Sequence, residues 1–340
     1  MIRSRKRAVD LGSKPEITKA ILLVGGRGTR LAPLTDSTPK PMLRIAGAPV
    51  TEHQIRKAAA AGVTEIALAT SYLAEIFQPH FGDGAKYGVR IHYSFEDTPL
   101  GTGGAIAMGA SLLSLAPDES VYIFNGDVIS GHDLRAQAAL HERERAEMTL
   151  YLTRVEDARA YGCVPIDGSG AVLNFLEKMD NPIADTINAG CYIFRAPAFD
   201  RIPSGVVTSV ERETFPDALK SGARIFGYVD PSYWIDMGTP QSLLRASRDL
   251  VLNVALSAAT GKVVGGAIIE ADCKVDSGAQ VGGGSYLQEG VSVGDGAEIY
   301  GSIIGVGAVI EGGATVIDSY IAPKTRVISG SKIAGEIFGF

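Results

Sequence analysis

The sequence predicts an α/β chain in two parts, an open and mostly parallel sheet followed by a parallel β-helix. Three observations carry this reading. The chain has 340 residues, and at about 150 residues per domain that length suggests two domains. As far as Thr260, short apolar runs alternate with stretches of helical composition. Beyond it, aliphatic residues return at every sixth position in a glycine-rich background. Apolar residues make up 46% and charged ones 21%, enough for a packed core and inconsistent with global disorder.

Residues 1–17 read as a solvated basic tail, with Arg3, Arg5, Lys6 and Arg7 ahead of the first apolar run. No hydrophobic segment long enough for secretion or membrane spanning follows them. The net charge of −6 gives no general attraction to nucleic acid or to an anionic membrane, so neither is expected as a partner. Ala20 to Val24 is continuously apolar, as in a strand buried on both faces. Ala48 to Ala61 has helical composition, and Glu65 to Ala69 reads as the next strand. Val89 to Phe95, a helix over about Thr102 to Leu115, and Val121 to Asn125 continue the alternation. In an open parallel sheet, ligands bind beyond the carboxyl ends of the strands. The chemistry is therefore expected just after Val24, Phe95 and Asn125.

The tail of the sequence has a different rhythm. Val263, Ile269, Val275, Val281, Leu287, Val293 and Ile299 keep a spacing of six. The period slips by one to Ile304, Ile310 and Val316, and again to Ile321, Val327 and Ile333. Of 41 glycines, 18 lie in the last 80 residues, as expected of tight corners that need positive φ. Each hexad is read as one side of a β-helical coil. This stretch holds no histidine and few clustered polar groups, so it is expected to support the first part or build an oligomer and to contribute no catalytic residue. Division is expected at residues 18–258 and 259–340. Cys163, Cys191 and Cys273 are odd in number and lack metal-ligand spacing; they are expected as buried thiols in a reducing cytoplasm.

Candidate functional residues cluster where the strands end. Gly25-Gly26-Arg27-Gly28-Thr29-Arg30-Leu31 is followed by Pro33-Leu34-Thr35 and Pro39-Lys40-Pro41-Met42. Glycines let backbone N–H groups approach a polyphosphate, which Arg30 and Lys40 can neutralise. The spacing fits neither a Walker A loop nor a dinucleotide fingerprint. With Pro99 to Gly104, Asn125-Gly126-Asp127, Tyr161 to Pro165, Phe175 to Lys178, Ile187 to Tyr192 and Tyr233 to Thr239, this loop resembles the signature of the sugar-1-phosphate nucleotidylyltransferases. The likeness covers about residues 18 to 335. It is greatest to the bacterial mannose-1-phosphate guanylyltransferases (GDP-mannose pyrophosphorylases) that end in a left-handed β-helix.

The resemblance implies a nucleotide-binding sheet and attack of a sugar 1-phosphate on the α-phosphorus of a nucleoside triphosphate, with GTP and mannose 1-phosphate as partners. It implies that Asp127 and Asp236 hold Mg²⁺ and that Arg30, Lys40, Asp127, Lys178 and Asp236 form the catalytic set. Gly25, Gly26, Gly28, Thr29, Glu96, Gly101 and Thr102 would bind the nucleotide. Lys178 would meet the sugar phosphate, Glu177 and Asn188 would meet sugar hydroxyls, and Gly162 would leave room for the sugar ring. Glu96 would face the base, where an acceptor-only carboxylate suits the two donors of guanine. The enzyme is expected to be a cytoplasmic homo-oligomer. The rivals are a manno-heptose 1-phosphate guanylyltransferase, a uridylyl- or thymidylyltransferase, and a non-catalytic regulatory subunit of the same fold.

Overall fold

A computed structural model describes residues 17–96 and 98–340. The expected basic tail therefore lies outside the described residues except for Ile17, which is buried in the core. The central strands are β1 (Lys19–Leu23), β2 (Glu65–Thr70), β3 (Arg90–Phe95) and β4 (Ser120–Asn125). They pair in parallel in the order β4-β1-β2-β3. Side chains alternate between the faces of a strand, so these apolar runs feed two cores. Leu22, Ile66, Leu68 and Tyr122 pack on one side of the sheet. Ile21, Ala67, Ile106 and Ile123 pack on the other.

The rest of the sheet is mostly antiparallel, with one further parallel pair between Met148–Arg154 and Ile225–Val229. A hairpin strand β5 (Val128–Ser130), then β6 (Met148–Arg154), β7 (Gly162–Cys163), β8 (Leu176–Glu177), β9 (Thr186–Arg195), β10 (Ile225–Val229) and β11 (Trp234–Asp236) follow in sequence. Strand β9 runs antiparallel to β4, β6 and β7, and β7 runs antiparallel to β8. Strands β5 and β11 form a separate antiparallel ladder in front of the sheet. The helices are α1 (Val50–Ala61), α2 (Gly101–Ser111), α3 (Leu134–Arg143) and α4 (Pro240–Val251), together with a short turn of helix at Phe215–Lys220 and another at Phe77–Phe81. Helix α1 begins two residues later than expected. Ala48 and Pro49 instead pair with Arg44 and Ile45 as a small hairpin, and the extended Pro49 then caps the helix.

Past α4 the chain coils into a three-faced parallel β-helix. Registers such as Val275–Val293–Ile310–Val327 show one coil of 18 residues followed by coils of 17. The slips in the six-residue period are these shortened corners. Leu287, Val293, Ile299 and their successors to Ile333 fill the interior. The first repeats do not: Ile269 is 40% and Val275 37% exposed, because the end coil has a neighbour on one side only. Cys273, in the same coil, is partly exposed, whereas Cys163 and Cys191 are buried as expected. On the outer face, Ile268, Tyr286, Ile303 and Tyr320 bury themselves against Leu43, Ile45, Leu243 and Leu250. Arg44 bonds Glu270 and, at 3.0 Å, the Tyr286 hydroxyl across this joint. Among the described residues no helix is long and apolar enough to cross a membrane.

Candidate active site

The glycine-rich loop leaves β1 and folds back on the segment that carries Lys40. Gly28 has φ +66°, and a Cβ there would stand 2.8 Å from the Lys40 Cβ, so only glycine brings the two halves together. Thr35 fastens the fold by donating to the Gly28 carbonyl at 3.1 Å. Ser71, just past β2, donates to the Gly25 carbonyl at 2.7 Å. Gly26, Thr29 and Arg30 face solvent, and the Arg30 guanidinium lies close over Gly238. Lys40 is only 7% exposed. Its ammonium is 2.6 Å from Asp127 Oδ2 and 3.7 Å from Asp236 Oδ1.

These two carboxylates come together through strand pairing. The Gly126 N–H donates to the Leu23 carbonyl at 3.0 Å, which extends β4 along β1 and sets Asp127 at the sheet's carboxyl edge. Asp236 ends β11 opposite Val128 of β5, and the Met237 N–H donates to the Asp127 carbonyl at 2.9 Å. Burial, and then the charge of Asp127, push the Asp236 carboxyl above its ordinary range, against the opposing pull of Lys40 and Arg30. Asp236 Oδ1 is buried without a hydrogen-bond partner. Two acceptor-only groups, one with an orphaned buried oxygen, fit a hard divalent cation that completes its shell with water and phosphate oxygens. Among the described residues no three His, Cys, Asp or Glu side chains converge on a closed metal cage.

A cleft of about 320 Å³ opens beside Lys40, between Gly25 and Gly26, Glu96 and Gly101. Glu96 Oε2 accepts from the Leu100 N–H at 3.4 Å. Its Oε1 is buried with no partner, and burial raises the carboxyl's pKa. Gly101 has φ +74°, and a Cβ there would stand 2.5 Å from the Thr208 carbonyl; the close approach it permits is to the protein's own backbone. Thr102 also lines the cleft. Its hydroxyl is already engaged, donating to Glu211 at 2.7 Å and accepting from the Val210 N–H at 2.9 Å.

A second group lies outside that cleft, on the antiparallel side of the sheet. Glu177 pairs with Gly162 across β8 and β7. The space over Gly162 is not open, because a Cβ would meet the Phe175 ring at 2.9 Å and Glu177 Oε2 at 3.0 Å. Lys178 holds φ +50°, uncommon for a side-chain-bearing residue, and its exposed ammonium is 3.6 Å from Glu177. Asn188 precedes a register shift in β9. It donates to the Tyr192 hydroxyl at 2.7 Å and accepts from the Gly190 N–H at 3.1 Å, which leaves one amide hydrogen free. Tyr161, before Gly162, meets Trp234, two residues before Asp236, edge to face at 5.4 Å. This contact joins the second group to the carboxylates.

The motifs give no sign of Thr51 and Gln54. Both are buried on the same face of α1 as Ile55 and Ala58, where polar residues at a spacing of three are the available signal. A larger cavity, about 490 Å³, lies behind the Asp127 hairpin and is lined in part by His53, Gln54 and Lys57.

Residues 19–252 match the family profile described as "Nucleotidyl transferase". The chain is 44% identical over 315 residues to the mannose-1-phosphate guanylyltransferase of Mycobacterium tuberculosis, covering 92% of this chain and 82% of that protein. It is 34% identical over 269 residues to a mannose-1-phosphate guanylyltransferase catalytic subunit beta of Drosophila melanogaster, covering 77% and 72%. A Bacillus anthracis structure described as a glucose-1-phosphate thymidylyltransferase superposes with a TM-score of 0.59 at 24% identity, over 67% of this chain and 93% of that one; this likeness is one of fold. With the family profile spanning most of the chain and the strand ends carrying a lysine between two carboxylates beside an open cleft, the protein belongs to the nucleotidyl transferase family.

Proposed function

We propose that this protein transfers the guanylyl group of GTP to mannose 1-phosphate, giving GDP-mannose and pyrophosphate. The observation that carries this reading is the 44% identity to a protein of that name over 92% of the chain. The attacking sugar phosphate is already an anion, so no protein base is required. The obstacle is holding two polyanions in line, which positioning and charge neutralisation overcome. The loop at Gly25, Gly26, Gly28 and Thr29 receives the triphosphate, with Arg30 and Lys40 as its cations. Lys178 receives the sugar phosphate, and Glu177 and the free amide hydrogen of Asn188 meet sugar hydroxyls. Asp127 and Asp236 would hold Mg²⁺, which when bound neutralises polyphosphate charge. In this reading the enzyme works in the cytoplasm as a homo-oligomer, with residues 18–258 catalytic and 259–340 supporting.

Base choice falls to Glu96, whose unpartnered Oε1 is an acceptor for the N1–H and 2-amino groups of guanine. The test is pyrophosphate release across GTP, ITP, ATP, UTP and dTTP with mannose, glucose and manno-heptose 1-phosphates. A lost charged hydrogen bond is worth about 1.5–3 kcal/mol, roughly 10- to 150-fold. GTP with mannose 1-phosphate is expected to lead by at least that factor, with ITP weaker and Glu96→Gln narrowing the gap. Equal use of ITP and GTP would remove the guanylyl reading. No pyrophosphate from any pair would favour a regulatory subunit.

A further inference from the structure

We propose that one face of α1, formed by Thr51, Gln54 and Lys57, is a positioning ridge that fixes Lys40 and Asp127 relative to each other. The proposal rests on the reading of Lys40 and Asp127 as reacting-site residues given above. Residues three apart on a helix share a face, and each of these three reaches a different point of the site's backbone. The Thr51 hydroxyl, fully buried, donates to the Pro41 carbonyl at 2.9 Å, one residue beyond Lys40. Gln54 spends both amide hydrogens on the turn that carries Asp127. Its Nε2 donates to the Asn125 carbonyl at 2.7 Å and to the Val128 carbonyl at 3.0 Å. The Lys57 ammonium donates to the Ser130 carbonyl at 2.7 Å and contacts the Ser130 hydroxyl and His132 Nδ1, each at 3.1 Å.

The choice of glutamine argues for a role beyond packing. Gln54 is 5% exposed, and its Oε1 is buried with no partner, a cost that a methionine of the same length would avoid. The flipped amide would set Oε1 against two carbonyl oxygens, so the donors are fixed on the Asp127 turn. One short rigid helix thus holds both ends of the 2.6 Å Lys40–Asp127 pair. A displacement of about 1 Å at such a site can cost on the order of 100-fold in rate.

The test uses the full chain and three readouts: kcat and KM for GTP and mannose 1-phosphate, the thermal midpoint, and Mn²⁺ binding followed by water-proton relaxation without substrate. Gln54→Met is expected to lower kcat about 10- to 100-fold with both KM values within about threefold, and to weaken Mn²⁺ binding about fivefold or more. Thr51→Val, acting on the Lys40 side, is expected to lower kcat about tenfold with Mn²⁺ binding nearly unchanged, and Thr51→Ser to recover most of it. Folded Gln54→Met with kcat and Mn²⁺ binding both within twofold of wild type would overturn the proposal. If Gln54→Met does not fold, Thr51→Val decides: equal kcat in Thr51→Val and Thr51→Ser overturns it. If the wild-type protein fails to use these substrates, the functional reading falls, and the relaxation titration of Gln54→Met decides the proposal by itself.

Discussion

Asp236 is asked to ionise where ionisation is costly. Its neighbours are another carboxylate and a partly dry surface, both of which favour the neutral acid, and Lys40 at 3.7 Å and Arg30 offset them only in part. An asparagine of the same shape removes the charge without disturbing the β5–β11 ladder, which depends on backbone groups. Asp236→Asn is therefore expected to fold with a thermal midpoint no lower than wild type, and Asp127→Asn, which takes the nearest counter-charge from the buried Lys40 ammonium, with a lower one. Each is expected to lose at least about 100-fold in kcat, the scale of removing one preorganised electrostatic group. Pyrophosphate release checks this, and activity within tenfold of wild type in either variant would remove the metal-binding role. The identities of Asp127 and Asp236 were legible in the motifs. Their meeting was implied by the family resemblance alone, because 109 positions separate them and the pairing of β5 with β11 closes that distance.

Elements near the site are shaped by close backbone approach more than by side chains. Helix α2 starts at Gly101 because its first residue must hold φ +74° while facing the Thr208 carbonyl. Gly101→Ala brings the left-handed penalty of roughly 1–2 kcal/mol and a clash that pushes the 208–211 segment away from Thr102. The expected result is a stability loss of about 2 kcal/mol or more in urea unfolding, together with a raised KM for the nucleotide. An unchanged unfolding midpoint would show that the helix start is free to shift. Strands β1, β2 and β4 were readable because each is a largely buried apolar run, and β3, at the edge of the sheet, by its place in the alternation. Strands β7 and β8 were not, since two residues apiece carry no period and are set by the neighbour they pair with.

At the scale of the whole molecule, three histidines contribute to the response to acid. His53, His132 and His141 are buried, and desolvation is the leading cause that lowers each: His53 to about 4, His141 to about 3 and His132 well below its usual range. Below pH 6.5 the unfolded chain takes up protons that these folded sites refuse. Their contribution is thus fully present above pH 6.5 and is lost as pH falls toward 4. Each such group adds at most about 1.4 kcal/mol per pH unit, so unfolding free energy is expected to fall as pH drops through that window. A slope that stays flat between pH 6 and 4.5 in urea titrations would contradict this. The β-helix offers a second test. Truncation after Leu256 exposes Leu43, Ile45, Leu243 and Leu250, now covered by Tyr286, Ile303 and Tyr320. A protein several degrees less stable that keeps some turnover is expected, whereas a folded truncation with none would give the β-helix a catalytic part.

The sequence by itself determined the parallel core, the hexad coil and the chemical inventory of the site. The first two depend on local composition and period, which are written along the chain: apolar runs, glycines where the backbone turns left, and aliphatic residues at a spacing of six. The inventory of the site rested on the motifs that resemble those of the nucleotidylyltransferases. What the tertiary structure decided is which groups are free to act. Thr102 and most of Asn188 are already hydrogen-bonded, the space over Gly162 is filled by Phe175 and Glu177, and Thr51 and Gln54 become struts of the site. The Asn188 bonds reach only two and four residues along the chain; the other outcomes are set by contacts between separate elements of the fold. No local pattern encodes them, because the partner of a polar side chain is chosen only when the elements pack.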